Sequence, residues 1–213
     1  MEIAGKVHPA APRSGIREDV ENAKVAEFVS YFDRIRERTM RVIACIPPER
    51  VDWTYKAAKY TLADIVRHLA AIERWMFAEN AQRKPSVYPG HGNELADGYD
   101  GVVDYMRRMH DESMAIFRSL TDADFEAKCM TPGGVELRVS KWLRSMIEHE
   151  VHHRGQIYMY LGMLDVPTPP MYGLTEEEVK RRSRPQAPGL RPQGTEGPEG
   201  GFLRPEAWGL RPT

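Results

Sequence analysis

The sequence predicts an all-α protein, a four-helix bundle followed by a Pro/Gly-rich C-terminal tail. Four long segments carry apolar residues at the helical spacing of three, four or seven positions. No strand-like alternation of any length competes with them. Of the 213 residues, 41% are hydrophobic and 29% are charged, a balance that supports a packed core. Amphipathic helices bury their apolar stripes best against one another, which favours a bundle.

The first two helices are predicted from their periodicity and from their end signals. The first covers residues 19–46 and ends at Pro47, because proline cannot continue a helix. The second covers residues 62–81. Thr61 is its expected N-cap, and Asp64, three positions later, completes a capping box in place of the usual glutamate.

The third and fourth helices are predicted over residues 98–120 and 141–164, with Ser140 as a candidate N-cap for the last. The loop of residues 82–97 contains several Pro and Gly residues and is long enough to cross the end of a bundle. Residues 131–139 predict a turn and a short extended piece.

The chain divides into an N-terminal extension (1–18), the bundle (19–168), a connecting segment (169–182) and a tail (183–213). The tail holds six Pro and six Gly among its 31 residues, a composition that does not build a core of its own. Its Gly-Leu-Arg-Pro sequence occurs twice. Two interpretations stay open: a flexible end, or a segment that docks on this bundle or on a partner.

Charge and cysteine content narrow the function classes. There are 30 Lys plus Arg against 31 Asp plus Glu, so no basic excess indicates a nucleic-acid partner. Cys45 and Cys129 are isolated and form no disulfide framework. The first 15 residues lack the apolar stretch of a signal peptide, and no segment is apolar enough to cross a membrane. We therefore expect a cytoplasmic protein without membrane contact.

Three histidines are candidate metal ligands. His149 and His153 are four positions apart, so a helix stacks both imidazoles on one face. His68 lies on the apolar side of the second helix. Three imidazoles leave coordination positions open for water or substrate, as catalytic sites require. The competing interpretation is that each is an ordinary core histidine, which is the commoner case for a single inward-facing His.

Neighbouring residues suggest supporting roles. Asp64, one turn before His68, is a candidate to orient that imidazole. Gly155 costs about 1 kcal/mol in a helix, which indicates a close backbone or room for a ligand. His152 is expected on the flank of the fourth helix. His91, in the loop of residues 82–97, is expected to be solvated.

The His153-Arg154-Gly155-Gln156 run, with His149 four positions before its histidine, resembles the DinB/YfiT-like superfamily. Residues 46–53 and the Thr61-Leu62 pair ahead of the helix that carries His68 resemble the first half of the same family. The resemblance covers residues 20–165. It implies a bundle of up-down-down-up order, frequent homodimers, and a divalent metal held by the three histidines at positions 68, 149 and 153.

The resemblance also implies members that transfer low-molecular-weight thiols such as bacillithiol or mycothiol. We therefore expect a metal-dependent thiol transferase that acts on small electrophiles, with Zn²⁺ or Ni²⁺ as the first candidate ions. A metal-bound thiol or water would react, and Glu150 and His152 are candidate proton acceptors. A metal-dependent hydrolase and a non-catalytic metal-binding or interaction protein stay open as alternatives.

Overall fold

The computed structural model describes residues 22–183. Four long helices dominate this part of the chain: α1 (Ala23–Ile43), α2 (Leu62–Ile72), α4 (Gly98–Arg118) and α6 (Val139–Met163). A π-helical segment (Glu73–Phe77) and a short helix α3 (Ala78–Ala81) continue α2 without a break.

Short elements fill the connections. They are a 3-10 turn (Pro48–Arg50), helix α5 (Asp122–Glu126), strands β1 (Lys128–Met130) and β2 (Glu136–Arg138), and helix α7 (Glu176–Arg182). The two strands pair antiparallel, with Cys129 opposite Leu137. Residues 22–171 form one compact unit, and α7 belongs to a second.

The predicted fold class is confirmed: the described chain is mostly helical and forms a four-helix bundle. The expected capping box of α2 is present, since Thr61 Oγ1 accepts from the Asp64 amide at 3.0 Å and Asp64 accepts from the Thr61 amide at 2.9 Å. Ser140 as an N-cap is wrong, because α6 begins at Val139 after Arg138 and no side chain caps it. The extended piece before α6 is one half of the β1–β2 hairpin.

In the bundle, α1 packs on α4 and α6, and α2 packs on the same two helices. The buried apolar residues form two separate clusters, one around Leu69 and Met106 and the other around Phe32 and Phe117. On α1, α4 and α6, and where α2 continues into the π-helical segment, buried polar residues fall between members of the two clusters, so a polar layer divides the core. That layer contains these side chains: Arg36, Thr39, Glu73, His110, Ser113, Glu150, His153 and Arg154.

None of the helices within residues 22–183 combines the length and the apolar character that a membrane span needs. The termini on either side, residues 1–21 and 184–213, lie outside the described structure. The predicted extension and almost all of the predicted tail therefore fall there.

Candidate metal centre

Two helices bring the three predicted histidines together. His149 and His153 follow each other by one turn of α6, and His68 faces them from α2. Nε2 of His149 lies 3.0 Å from Nε2 of His68 and 3.1 Å from Nε2 of His153. Among the described residues, this is the group of three or more His, Cys, Asp or Glu side chains that can hold one metal ion.

The spacing of the three nitrogens fits a common ion. In a tetrahedral zinc site with Zn–N distances of about 2.0–2.1 Å, ligand nitrogens lie roughly 3.3 Å apart. The two Nε2 separations from His149 are within a few tenths of an ångström of that value. The donor set therefore suits Zn²⁺, and imidazole nitrogen also suits Ni²⁺.

The electrostatics keep these imidazoles neutral. Burial, and then the neighbouring imidazoles, lower the pKa of His68 to about 3 and that of His149 to about 4. Burial also lowers the pKa of His153, which is only 8% exposed. At neutral pH all three rings carry a free lone pair, which is the form that binds a metal.

The outer nitrogens of two rings have partners of their own. Nδ1 of His68 lies 2.7 Å from the hydroxyl oxygen of Tyr88, and Nδ1 of His153 lies 2.7 Å from Oε1 of Gln156. The amide nitrogen of Gln156 lies 3.2 Å from Nε2 of His152. Such partners fix which ring nitrogen carries the proton and leave Nε2 to point at the shared centre.

The predicted role of Asp64 is wrong. One oxygen of its carboxylate accepts from the backbone amide of Thr61, and the other accepts from Arg67 at 2.7 Å. The contact to His68 that we expected is made by Tyr88 instead. The capping box and the guanidinium occupy the carboxylate, so Asp64 holds the start of α2 and not the imidazole.

Glu150, a candidate proton acceptor, does not reach the histidines. Its side chain is buried on a different face of α6, where it accepts from Thr39 at 2.6 Å and pairs with Arg36 at 2.9 Å. Arg36 also pairs with Glu73, which accepts from Nδ1 of His110 at 2.9 Å. Glu150 is therefore part of a buried charged network and has no path to a ligand at the histidines.

The flanking histidines take different places. His152 is exposed, as expected, and its ring centre lies 5.0 Å from that of His153. His91 is partly buried, 6.2 Å from the ring of His68 and 4.3 Å from that of Tyr60. The loop of residues 82–97 thus reaches the centre, and it brings Tyr88 there. Helical periodicity carries no signal for the path of such a loop.

Gly155 has open space beside it. A Cβ built on this glycine meets no atom within 4 Å, so no backbone packs against it, and the close-approach interpretation is wrong. The two thiols are separate from the centre: Cys45 is partly buried and Cys129 is buried. Burial raises the pKa of both, so neither is an activated nucleophile.

A model of the DinB superfamily matches residues 31–157 of the chain. No curated protein sequence matches it. The fold is similar to that of a DinB-like protein from Bacillus cereus ATCC 10987, with a TM-score of 0.57, 18% identity, and coverage of 67% of this chain and 94% of that one.

Two further solved structures carry functional descriptions. YfiT from Bacillus subtilis, described as a probable metal-dependent hydrolase with an unusual four-helix bundle topology, matches with a TM-score of 0.54 and 16% identity, over 76% of this chain and 96% of that one. A mycothiol-dependent maleylpyruvate isomerase matches with a TM-score of 0.53 and 14% identity, over 74% and 66%. At such identities the likeness shows the fold alone.

Proposed function

This chain belongs to the DinB superfamily, and from that premise we propose that it is a metal-dependent enzyme whose ion is held by His68, His149 and His153. The observation that carries the proposal is the convergence of three neutral Nε2 atoms, two of them within 3.0 and 3.1 Å of the third. Neutral donors from two helices leave part of the coordination sphere to a ligand.

We further propose a transferase that acts with a low-molecular-weight thiol on small electrophiles. A bound divalent ion supplies an exchangeable position at which a thiol loses its proton more readily. The chain's own residues supply rigid placement: α6 fixes His149 and His153, and α2 fixes His68. No described cysteine lies among these ligands, so the nucleophile is expected to come from outside the chain.

Metal-dependent hydrolysis is the second candidate. It is favoured by the description of YfiT, whose fold this chain shares. The same three ligands and the same open position would serve a water molecule. The similarity to a mycothiol-dependent isomerase supports the thiol instead. An inert metal in an interaction protein is the third candidate.

One experiment separates these candidates. Protein of measured metal content is incubated with a panel of electrophiles and hydrolysable esters and amides, with and without small thiols. Turnover that needs both thiol and metal supports the transferase, and turnover that needs metal alone moves hydrolysis ahead. No turnover at full metal loading supports the non-catalytic protein. The same panel is run with His153→Ala, which removes a proposed ligand. His152→Ala is its matched control, since the two histidines are neighbours on α6.

A further inference from the structure

We propose that Tyr88 is a positioning residue of this centre, whose hydroxyl holds His68 in the ring orientation and tautomer that a metal requires. The inference rests on the proposed metal-binding function. It adds a residue from the loop of residues 82–97 to a site otherwise built by two helices. The hydroxyl oxygen lies 2.7 Å from Nδ1 of His68.

The tautomer of His68 decides whether its lone pair faces the centre. A neutral imidazole carries one proton, on Nδ1 or on Nε2. Because Nε2 of His68 points at His149 across 3.0 Å, metal binding there requires the proton on Nδ1. An N–H that is half-buried needs an acceptor, and the Tyr88 oxygen is that acceptor.

A hydroxyl suits this position in both states of the centre. Its hydrogen rotates freely, so the oxygen donates to a bare Nδ1 or accepts from Nδ1–H without moving. Burial raises the pKa of Tyr88 to about 12, so the group stays a neutral phenol. The ring orientation of His68 is therefore kept whether Nε2 carries a proton or binds an ion.

The loop is anchored on both sides of the tyrosine. On one side, the amide of Val87 donates to the carbonyl of Trp75, in the π-helical segment, at 2.8 Å. On the other side, the buried guanidinium of Arg67 donates to the carbonyls of His91 and Ala96, each at 2.8 Å. These bonds order the backbone before any ligand arrives, so the hydroxyl is preorganised.

The chain offers a matched control in Tyr60. Its ring also lies at the edge of His68, with centroids 5.8 Å apart, and it is 37% exposed against 38% for Tyr88. Within the described contacts, Tyr60 meets His68 by its ring alone, and the hydroxyl bond belongs to Tyr88. Removing either hydroxyl therefore changes the surroundings of the His68 ring, but only the loss of the Tyr88 hydroxyl removes the partner of Nδ1.

The experiment compares the wild type, Tyr88→Phe and Tyr60→Phe after metal removal. Zn²⁺ affinity is measured by competition with a chelator. We expect Tyr88→Phe to weaken binding by roughly 10–100-fold, the usual effect of losing such a partner, and Tyr60→Phe to weaken it by less than about 3-fold. In zinc-loaded protein, nitrogen NMR should show a slowly exchanging Nδ1–H of His68 that is lost in Tyr88→Phe. That signal is assigned by its absence from His68→Gln.

Each outcome decides the proposal. Equal Zn²⁺ affinity in Tyr88→Phe and wild type, with the Nδ1–H signal retained, would overturn it. An equal loss in both tyrosine variants would also overturn it, because the surroundings of the His68 ring as a whole would then be responsible. Failure of the wild type to bind Zn²⁺, Ni²⁺ or Co²⁺ would instead overturn the metal proposal itself, and this is seen before any variant is compared. Phenylalanine keeps the ring, so the melting temperature of the metal-free protein should not change.

Discussion

Two groups of wholly or partly buried polar side chains meet on α6, and they differ in how their burial is compensated. In the charged network, Arg36 pairs with both Glu73 and Glu150, and positive and negative groups offset each other inside the protein. In the histidine cluster, three imidazoles meet with no counter-charge. Burial lowers the pKa of all three, and neighbouring imidazoles lower the pKa values of His68 and His149 further. The first group contains its own counter-charges, and the second offers three imidazole lone pairs to a ligand.

One helix serves both groups by its phase. Successive residues of an α-helix point about 100° apart, so His149 and Glu150 face different partners, and so do His153 and Arg154. The Glu150 side of α6 meets α1, where Thr39 donates to it. The His149 side meets α2 and the His68 ring. Adjacent positions of α6 therefore serve two purposes, packing of the charged network and the proposed metal centre.

The largest expected effect separates the two groups by stability. Arg36→Met leaves Glu73 and Glu150 buried without their shared partner, and breaking a buried pair in this way costs about 3–5 kcal/mol. The free energy of unfolding in urea, measured on metal-free protein, tests this. Arg34→Met, at an exposed position of the same helix, is the control and should cost less than about 0.5 kcal/mol. A similar loss of stability in metal-free His149→Ala would contradict this difference between the charged network and the histidine cluster.

The second effect separates neighbouring histidines by metal affinity. His153→Ala removes a proposed ligand and should weaken Zn²⁺ binding by more than about 100-fold, beyond the range seen for outer partners. His152→Ala removes only the acceptor for the Gln156 amide and should weaken it by no more than about 10-fold. Chelator competition gives both values. An equal loss of Zn²⁺ affinity in the two variants would mean that the face of α6 that carries His149 and His153 is not the one that binds the ion.

The sequence was sufficient for what depends on helix geometry. Periodicity placed the four helices, and the four-residue spacing predicted that His149 and His153 share a face. It was insufficient where a side chain's partner comes from far along the chain. Glu150 was misplaced because its partners Arg36 and Thr39 lie more than 100 positions away, in a helix whose rotation the sequence does not state.

The contacts of the loop of residues 82–97 are also beyond what the sequence predicts. Its Pro and Gly content and its length predict irregular backbone that can cross the end of the bundle, but not that Tyr88 lies beside His68. The path is set by the Arg67 guanidinium and by the Trp75 carbonyl, groups that no short-range pattern connects to the loop. Without the path of this loop, the sequence favours Asp64 as the partner of His68. The capping role of Asp64 is predicted correctly.

The third effect concerns pH, and it should be smaller than the loss of a ligand. His68 and His149 have folded-state pKa values of about 3 and 4, below the ordinary value of 6.5. Between about pH 6.5 and 4 the unfolded chain takes up protons that the folded protein refuses. Metal-free protein should therefore be most stable above pH 6.5 and lose stability as the pH falls.

The double variant His68→Asn/His149→Asn tests the origin of that slope. Urea midpoints at pH 7.5, 6 and 5 should fall less steeply in the variant than in the wild type, because two proton-binding groups of the unfolded chain are gone. An identical slope in both proteins would place the acid sensitivity elsewhere, for example in the network around Glu73, whose carboxylate Arg36 and His110 keep ionised against burial.

The smallest expected effect is that of removing the tail. The side chains of both groups come from residues 36–154, and the apolar core around them ends with Leu161. A chain truncated after Arg182 should therefore keep the wild-type urea midpoint and Zn²⁺ affinity, the latter within about 3-fold, below the usual effect of even an outer partner. Lower stability with unchanged affinity would show that residues 183–213 dock on the bundle. Lower affinity with unchanged stability would show that they reach the histidines, and the separation of the two groups would then have to include a third segment of the chain.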